Sequence, residues 1–300
     1  LRLVGSEMCI RDSRHGALPM KDNGAMKIII VGLGLIGGSI AKALKQNTPH
    51  QVLGMDTDEG SLLDACSCGA IDGKAGIEDL KNADMVYLCV YPGAALDFTR
   101  EHGPDLREGC VLTDTCGIKS AVCAGMEELR NTGRYVFVAG HPMAGKERSG
   151  FAASDPSIFV GASYLLVPGD APGWAVELLE EMALCMGFGR TVRTDPKHHD
   201  QMIAFTSQVP HALACAYVLS PRCPEHKGFS AGSYRDVSRV ANINDELWSR
   251  LFLDNKDALT EELEELMGNL KAIRDAVSKG DERELRKLLK RAGDIKRRVG

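Results

Sequence analysis

The sequence predicts an α/β domain built on a mostly parallel sheet, followed by an all-helical domain. Three observations predict it. From Met26 to about Thr194, short apolar runs alternate with amphipathic segments, the pattern of strands covered by helices on both faces. A glycine-rich turn, Gly32-Leu33-Gly34-Leu35-Ile36-Gly37, directly follows the first apolar run. After Thr194 no convincing strand pattern recurs and apolar residues take helical spacing.

In chain order, residues 1–25 have neither a helical nor a strand period. Arg11, Asp12 and Arg14 interrupt any apolar run there, which argues against a secretory signal. They are expected to be a non-native or disordered extension, with Met26 as the natural start. Strands are predicted at 27–32, 51–56, 85–91, 110–114, 135–140 and 163–167, with helices between most of them, for example at 36–46, 118–130 and 174–186. This sheet domain is assigned to residues 26–194 and a helical domain to 195–300. Asp195-Pro196 reads as an N-cap followed by a proline at the first helical position. The helix then runs to about Leu219, with a kink at Pro210, which cannot donate to the Thr206 carbonyl. A loop rich in Pro, Gly and charge occupies 220–233. From Asn255 a further helix carries Leu259, Leu263, Leu266, Leu270, Ile273 and Val277, an a/d seam. Gly280 stops it, and Asp281 with Glu284 begins a last helix. The seam reads equally as packing inside the domain or as a dimer contact.

Composition sets limits. With 300 residues, 44% apolar and 26% charged, the chain can bury a real core in two domains. A net charge of −5 is too mild for a nucleic-acid binder, and no apolar run reaches a membrane span. The 10 cysteines show no paired metal spacing. No metal is expected, and unpaired thiols in a chain without a signal point to the cytoplasm.

Gly32, Gly34 and Gly37 have separate duties in a Rossmann-type turn. The first permits a tight turn, the second lets a pyrophosphate approach, and the third lets helix and strand pack closely. Leu35 and Ile36 open the helix whose free N–H groups point at the phosphates. Asp56 ends the next strand, where a carboxylate bonds a ribose hydroxyl and repels a 2′-phosphate, so NAD is expected over NADP. At the next strand exit, Val90 and Pro92 are assigned to the cofactor. His141 follows the strand predicted at 135–140, at the carboxyl edge where such sheets bind ligands, in the string His141-Pro142-Met143-Ala144-Gly145-Lys146-Glu147. Ser207 and His211, four apart, share a helix face. They could line a site or form an ordinary buried hydrogen bond. Arg235 and Arg239, also four apart, could clamp a carboxylate or decorate a surface.

Taken in order, these strings resemble prephenate dehydrogenases of tyrosine biosynthesis. The resemblance runs from Met26 to about Ile295. It rests on Val31 through Ser39, His141 through Gly145, Thr206 through His211, Tyr234 through Ala241, and Leu247-Trp248. It implies NAD-dependent oxidative decarboxylation of prephenate to 4-hydroxyphenylpyruvate. His141 would take the ring hydroxyl's proton, and Arg239 would bind a substrate carboxylate. Ser207 and His211 would line the substrate site, and Gln208 is a candidate reader of the substrate side chain. A homodimer through the helical domain is expected. The sequence departs from the family at Gly117, where many members carry a serine bonded to the catalytic histidine or the substrate; Thr115, Cys116 or a water takes that place. Some relatives append a ligand-sensing domain, and ending at Gly300 this chain is expected to lack it. The alternatives are arogenate (cyclohexadienyl) dehydrogenase, a β-hydroxy acid dehydrogenase, whose catalytic lysine finds no counterpart near Ser207 and His211, and a non-catalytic NAD sensor.

Overall fold

A computed structural model describes residues 24–146 and 148–300. The extension expected at 1–25 therefore lies, for residues 1–23, outside the described residues, as does Glu147. The chain divides into two compact units. One holds the described residues up to Thr115 together with Met126–Arg193; the other holds Cys116–Gly125 and Thr194–Gly300.

The first unit contains β1 (Lys27–Val31), α1 (Leu35–Asn47), β2 (Gln51–Met55), α2 (Glu59–Ser67), β3 (Gly73–Lys74), α3 (Ile77–Leu80), β4 (Met85–Leu88), α4 (Pro92–His102) and β5 (Val111–Asp114). There follow α5 (Ser120–Leu129), which begins in the second unit, then β6 (Val136–Phe137), β7 (Ala139–Pro142), β8 (Ser163–Val167), α6 (Gly173–Cys185) and β9 (Arg190–Arg193). Six strands form one sheet in the order β3-β2-β1-β4-β5-β6, every pairing parallel. This is the Rossmann order, and it puts the exits of β1, β2 and β4 side by side at the switch point. Ile28, Ile29 and Ile30 of central β1 are fully buried, as a strand covered on both faces requires. Each such side chain contributes about 1.5–3 kcal/mol relative to exposure.

Two expectations change. The single strand expected at 135–140 is two. Val138 still donates to the Leu112 carbonyl, but from Ala139 the chain turns into a second sheet, ordered β7-β8-β9. The strand expected at 163–167 belongs to that sheet and runs antiparallel to β7. Apolar runs record burial and do not record which neighbour takes the hydrogen bonds. Pro142 is tolerated because β7 is an edge strand.

The second unit is helical after Arg193: α7 (Pro196–Ile203), a π turn at Ala204–Gln208, α8 (Val209–Val218), α9 (Gly232–Ser238), α10 (Asp245–Asp254), α11 (Lys256–Lys279) and α12 (Glu282–Val299). Asp195 caps α7 by accepting from the His198 N–H at 2.9 Å. Just before Pro210, where a kink is expected, the backbone makes a π turn, in which the Val209 N–H reaches back five residues to the Ala204 carbonyl. Gly280 ends α11 in the left-handed conformation at φ +65°, and Asp281 caps α12 through the Glu284 N–H at 2.9 Å. Among the described residues no helix is long and apolar enough to cross a membrane.

Candidate active site

The three glycines of the first turn differ in what they touch. At Gly32, φ is +89° and a Cβ would lie 2.5 Å from the Cys89 carbonyl oxygen and 2.7 Å from Val90 Cγ1. At Gly37 a Cβ would lie 1.9 Å from the Gly32 carbonyl oxygen. Both positions are closed to side chains by the protein's own backbone. At Gly34 a Cβ would meet no protein atom within 4 Å, so its bare Cα serves approach from outside. Gly34 is the N-cap of α1 and offers no side-chain cap, and the first turn holds no acid. The N–H groups there, with Leu35 and Ile36 among them, and the positive end of the helix dipole suit an anion.

Asp56 lies just past β2. One carboxylate oxygen accepts the Leu33 N–H at 2.6 Å and the other the Asp58 N–H at 2.8 Å. Each oxygen has a second lone pair for a ribose hydroxyl, so the residue both braces the turn and presents negative charge. Val90 packs on Gly32, and Pro92 is the first residue of α4. These residues fit a dinucleotide such as NAD.

His141 lies in β7 opposite Leu165 of β8. Both are half-buried, while their neighbours Gly140, Pro142, Tyr164 and Leu166 are buried. Strand alternation thus puts His141 on the more open face. Asp114, fully buried at the end of β5, accepts the Gly140 N–H at 3.2 Å. In the turn after β5, the Thr115 hydroxyl donates to the Leu88 carbonyl at 3.4 Å. At Gly117 a Cβ would make only an ordinary contact with Leu251, at 3.5 Å, so the protein's packing does not demand glycine there.

Within the helical unit several expected residues come together. The His211 ring bonds through Nδ1 to the Ser207 carbonyl at 2.8 Å. That oxygen only accepts, so Nδ1 carries the proton and Nε2 is left as the acceptor of the neutral ring. The link runs to the Ser207 backbone and leaves the hydroxyl out. Trp248 of α10 stacks on His211, ring centroids 3.7 Å apart. Arg239 opens a 3-10 turn, Arg239–Ala241, that packs against α8, and is exposed. Arg235 is exposed on α9 beside Asp236. Gln208 is buried and its amide is engaged at both ends: Nε2 donates to the Leu251 carbonyl at 2.8 Å, and Oε1 accepts from Asn255 at 2.7 Å. Its side chain is committed to the protein.

Sequence reading missed the group beneath this cluster. Buried Asp200 accepts the Lys119 N–H and the Ser120 N–H, each at 2.8 Å, and the His199 Nδ1–H at 2.7 Å. It thereby caps the start of α5. Asn255 donates to the Asp200 carbonyl at 2.9 Å. The string His198-His199-Asp200 was the available signal, and it looks like any polar helix start.

The family described as prephenate dehydrogenase, nucleotide-binding domain, matches residues 40–187. The family described as prephenate dehydrogenase, dimerization domain, matches residues 195–291. A prephenate dehydrogenase of Bacillus subtilis (strain 168) is 32% identical over 287 residues, covering 92% of this chain and 76% of the Bacillus protein. Among solved structures, a prephenate dehydrogenase from A. aeolicus in complex with hydroxyphenyl propionate and NAD+ superimposes with a TM-score of 0.81 at 25% identity, over 93% of this chain and 100% of that one. An arogenate dehydrogenase from Synechocystis does so with a TM-score of 0.80 at 25% identity, over 92% and 100%. With both modules matched in order, the chain belongs to the prephenate dehydrogenase family.

Proposed function

We propose that this protein oxidatively decarboxylates prephenate to 4-hydroxyphenylpyruvate with NAD. One observation carries the reading: both family modules lie in order on this chain, with His141 on the more open face of β7. The N–H groups at the start of α1 hold the pyrophosphate, and Asp56 holds ribose hydroxyls while its charge rejects a 2′-phosphate. Bound NAD supplies the acceptor for the hydride on the ring carbon that bears the hydroxyl. His141 takes the hydroxyl proton as that carbon becomes a carbonyl, the task a neutral imidazole performs near neutral pH. The ring carboxylate then leaves as CO2, and the electron pair of the broken bond completes the aromatic ring. Arg239 binds a substrate carboxylate with its planar fork. The Ser207 hydroxyl and His211 Nε2 supply polar contacts, and Gln208 supports them from within the protein.

A second substrate reading is arogenate, which carries an amine in place of the ketone; the likeness to the Synechocystis arogenate dehydrogenase favours testing it. The protein is proposed to work as a homodimer through its helical unit, where Met267, Leu270, Ile273 and Val277 of α11 and Leu289, Ile295 and Val299 of α12 are exposed. The described cysteines are free thiols, which suits a cytoplasmic setting.

The test is NADH formation by purified protein with prephenate and with arogenate, and NADP as the comparison cofactor. His141→Ala should lower kcat about 10²–10⁴-fold while leaving the Kd for NAD within about twofold. Near-normal turnover by that variant would end the assignment of His141. NAD binding with neither substrate turned over would favour a sensor.

A further inference from the structure

We propose that Tyr164, with Asp114, is a positioning residue for His141, propping β7 from its buried face so that the imidazole is held in one place. This rests on the reading of His141 as the base. Tyr164 stands opposite Pro142 in the β7–β8 ladder, so its side chain shares the buried face with Gly140 and Pro142, the two residues that flank His141. The ring reaches under Gly140 so closely that a Cβ there would lie 2.5 Å from the Tyr164 hydroxyl and 3.0 Å from Cε1. The same Cβ would lie 2.9 Å from the Asp114 carbonyl oxygen. Asp114 also grips Gly140 through its carboxylate at 3.2 Å. Gly140 is therefore held by a hydrogen bond at its N–H and by a tyrosine against its Cα.

The ring itself is locked. It is fully buried and meets Phe188 edge-on, centroids 5.0 Å apart, while Phe188 stacks on Phe159 at 4.6 Å. Neither the Tyr164 nor the Tyr87 hydroxyl meets a partner in good hydrogen-bonding geometry among the described residues, although the Thr113 hydroxyl lies near that of Tyr164. An unmatched buried hydroxyl costs stability, and phenylalanine would avoid that cost. What the hydroxyl adds on this face is bulk under Gly140. An edge strand such as β7 has one neighbour in its sheet to hold it, so a prop from below supplies a restraint the ladder lacks. A base displaced by about 1 Å loses on the order of 100-fold in rate, so the restraint bears on turnover.

The test is a cycle of Gly140→Ala, Tyr164→Phe and the double variant, with kcat, the KM for NAD and Tm measured for each. Gly140→Ala should lower kcat about 100-fold with the KM for NAD within about twofold. Adding Tyr164→Phe removes the nearest colliding atom but leaves the Asp114 carbonyl oxygen at 2.9 Å, so it should restore kcat only in part, about threefold over Gly140→Ala alone. Tyr164→Phe alone should be no less stable than the parent. Gly140→Ala with native kcat, or Tyr164→Leu with native kcat, overturns the proposal. If Gly140→Ala does not fold, Tyr164→Leu decides: kcat down about tenfold at unchanged KM for NAD supports the prop, and unchanged kcat sinks it. His141→Ala is run beside them. If it loses turnover while the β7 variants do not, the prop alone fails. If it keeps turnover, the base assignment fails first.

Discussion

At Gly37 a methyl group would lie 1.9 Å from a backbone oxygen, whereas at Gly34 it would meet no protein atom within 4 Å. The two positions should therefore fail differently. Gly37→Ala forces the turn apart and should cost at least about 3 kcal/mol of stability, beyond the range of ordinary overpacking. Gly34→Ala should fold with native Tm but bind NAD about tenfold or more weakly, because its methyl group occupies the ligand's approach. Thermal melts and NAD titrations separate the two, and a Gly34→Ala protein with native NAD affinity would show that the pyrophosphate does not pass there. The glycine turn and Asp56 were legible in the sequence because each acts within one βαβ unit, where spacing states geometry. Asp114 and Tyr164 were not. Asp114 meets Gly140 across 26 residues, and Tyr164 reaches it from the neighbouring strand, so no local pattern reports either contact. Burial just before β5 pushes the Cys110 thiol up to about 12.

At the scale of elements, Asp200 ties the start of α5 to α7. Burial works to raise its pKa, but the hydrogen bonds from His199, Ser120 and the Lys119 N–H outweigh it and hold the carboxyl below its ordinary value. A carboxyl depressed in the folded state stabilises the fold above its unfolded pKa of about 3.9 and loses that contribution as pH falls through the folded value. Urea unfolding measured between neutral pH and about pH 3 should show a stability drop that Asp200→Asn reduces. Asp200→Ala should cost about 3 kcal/mol at neutral pH, since it strands backbone donors at the start of α5. An unchanged pH profile in Asp200→Asn would remove Asp200 from this role. Element boundaries divide by burial. β1 reads from sequence because both faces are covered and its apolar run is continuous. β9, Arg190-Thr191-Val192-Arg193, escapes because it is mostly exposed and carries arginine at both ends. The break in helical hydrogen bonding at Pro210 was foreseeable from the missing N–H, but the π turn before it was not, since that depends on what Ala204 and Val209 can reach.

For the whole molecule, the a/d seam of α11 divides in two. Leu259 is buried in its own unit, while Leu270, Ile273 and Val277 are exposed beside the exposed apolar residues of α12. Apolar surface of this kind is expected to be covered by a partner, and the family module here is a dimerization domain. Leu270→Glu with Ile273→Glu should convert a dimer to monomer by sedimentation, with α-helix content retained. A parent protein that sediments as a monomer, or a variant that remains a dimer, would rule out this face. The sequence alone determined the parallel sheet, the helical second half and the dinucleotide turn, because each follows from spacing within a few tens of residues; His141, expected at the exit of a parallel strand, lies instead inside β7 of the second sheet. Tertiary structure alone decided that β7 leaves the first sheet, that Gln208 is bonded to Leu251 and Asn255, that Asp114 and Tyr164 meet Gly140, and that Asp200 binds the start of α5. These depend on groups brought together across 24 to 81 residues, where hydrogen bonding and packing choose partners that local periodicity cannot name.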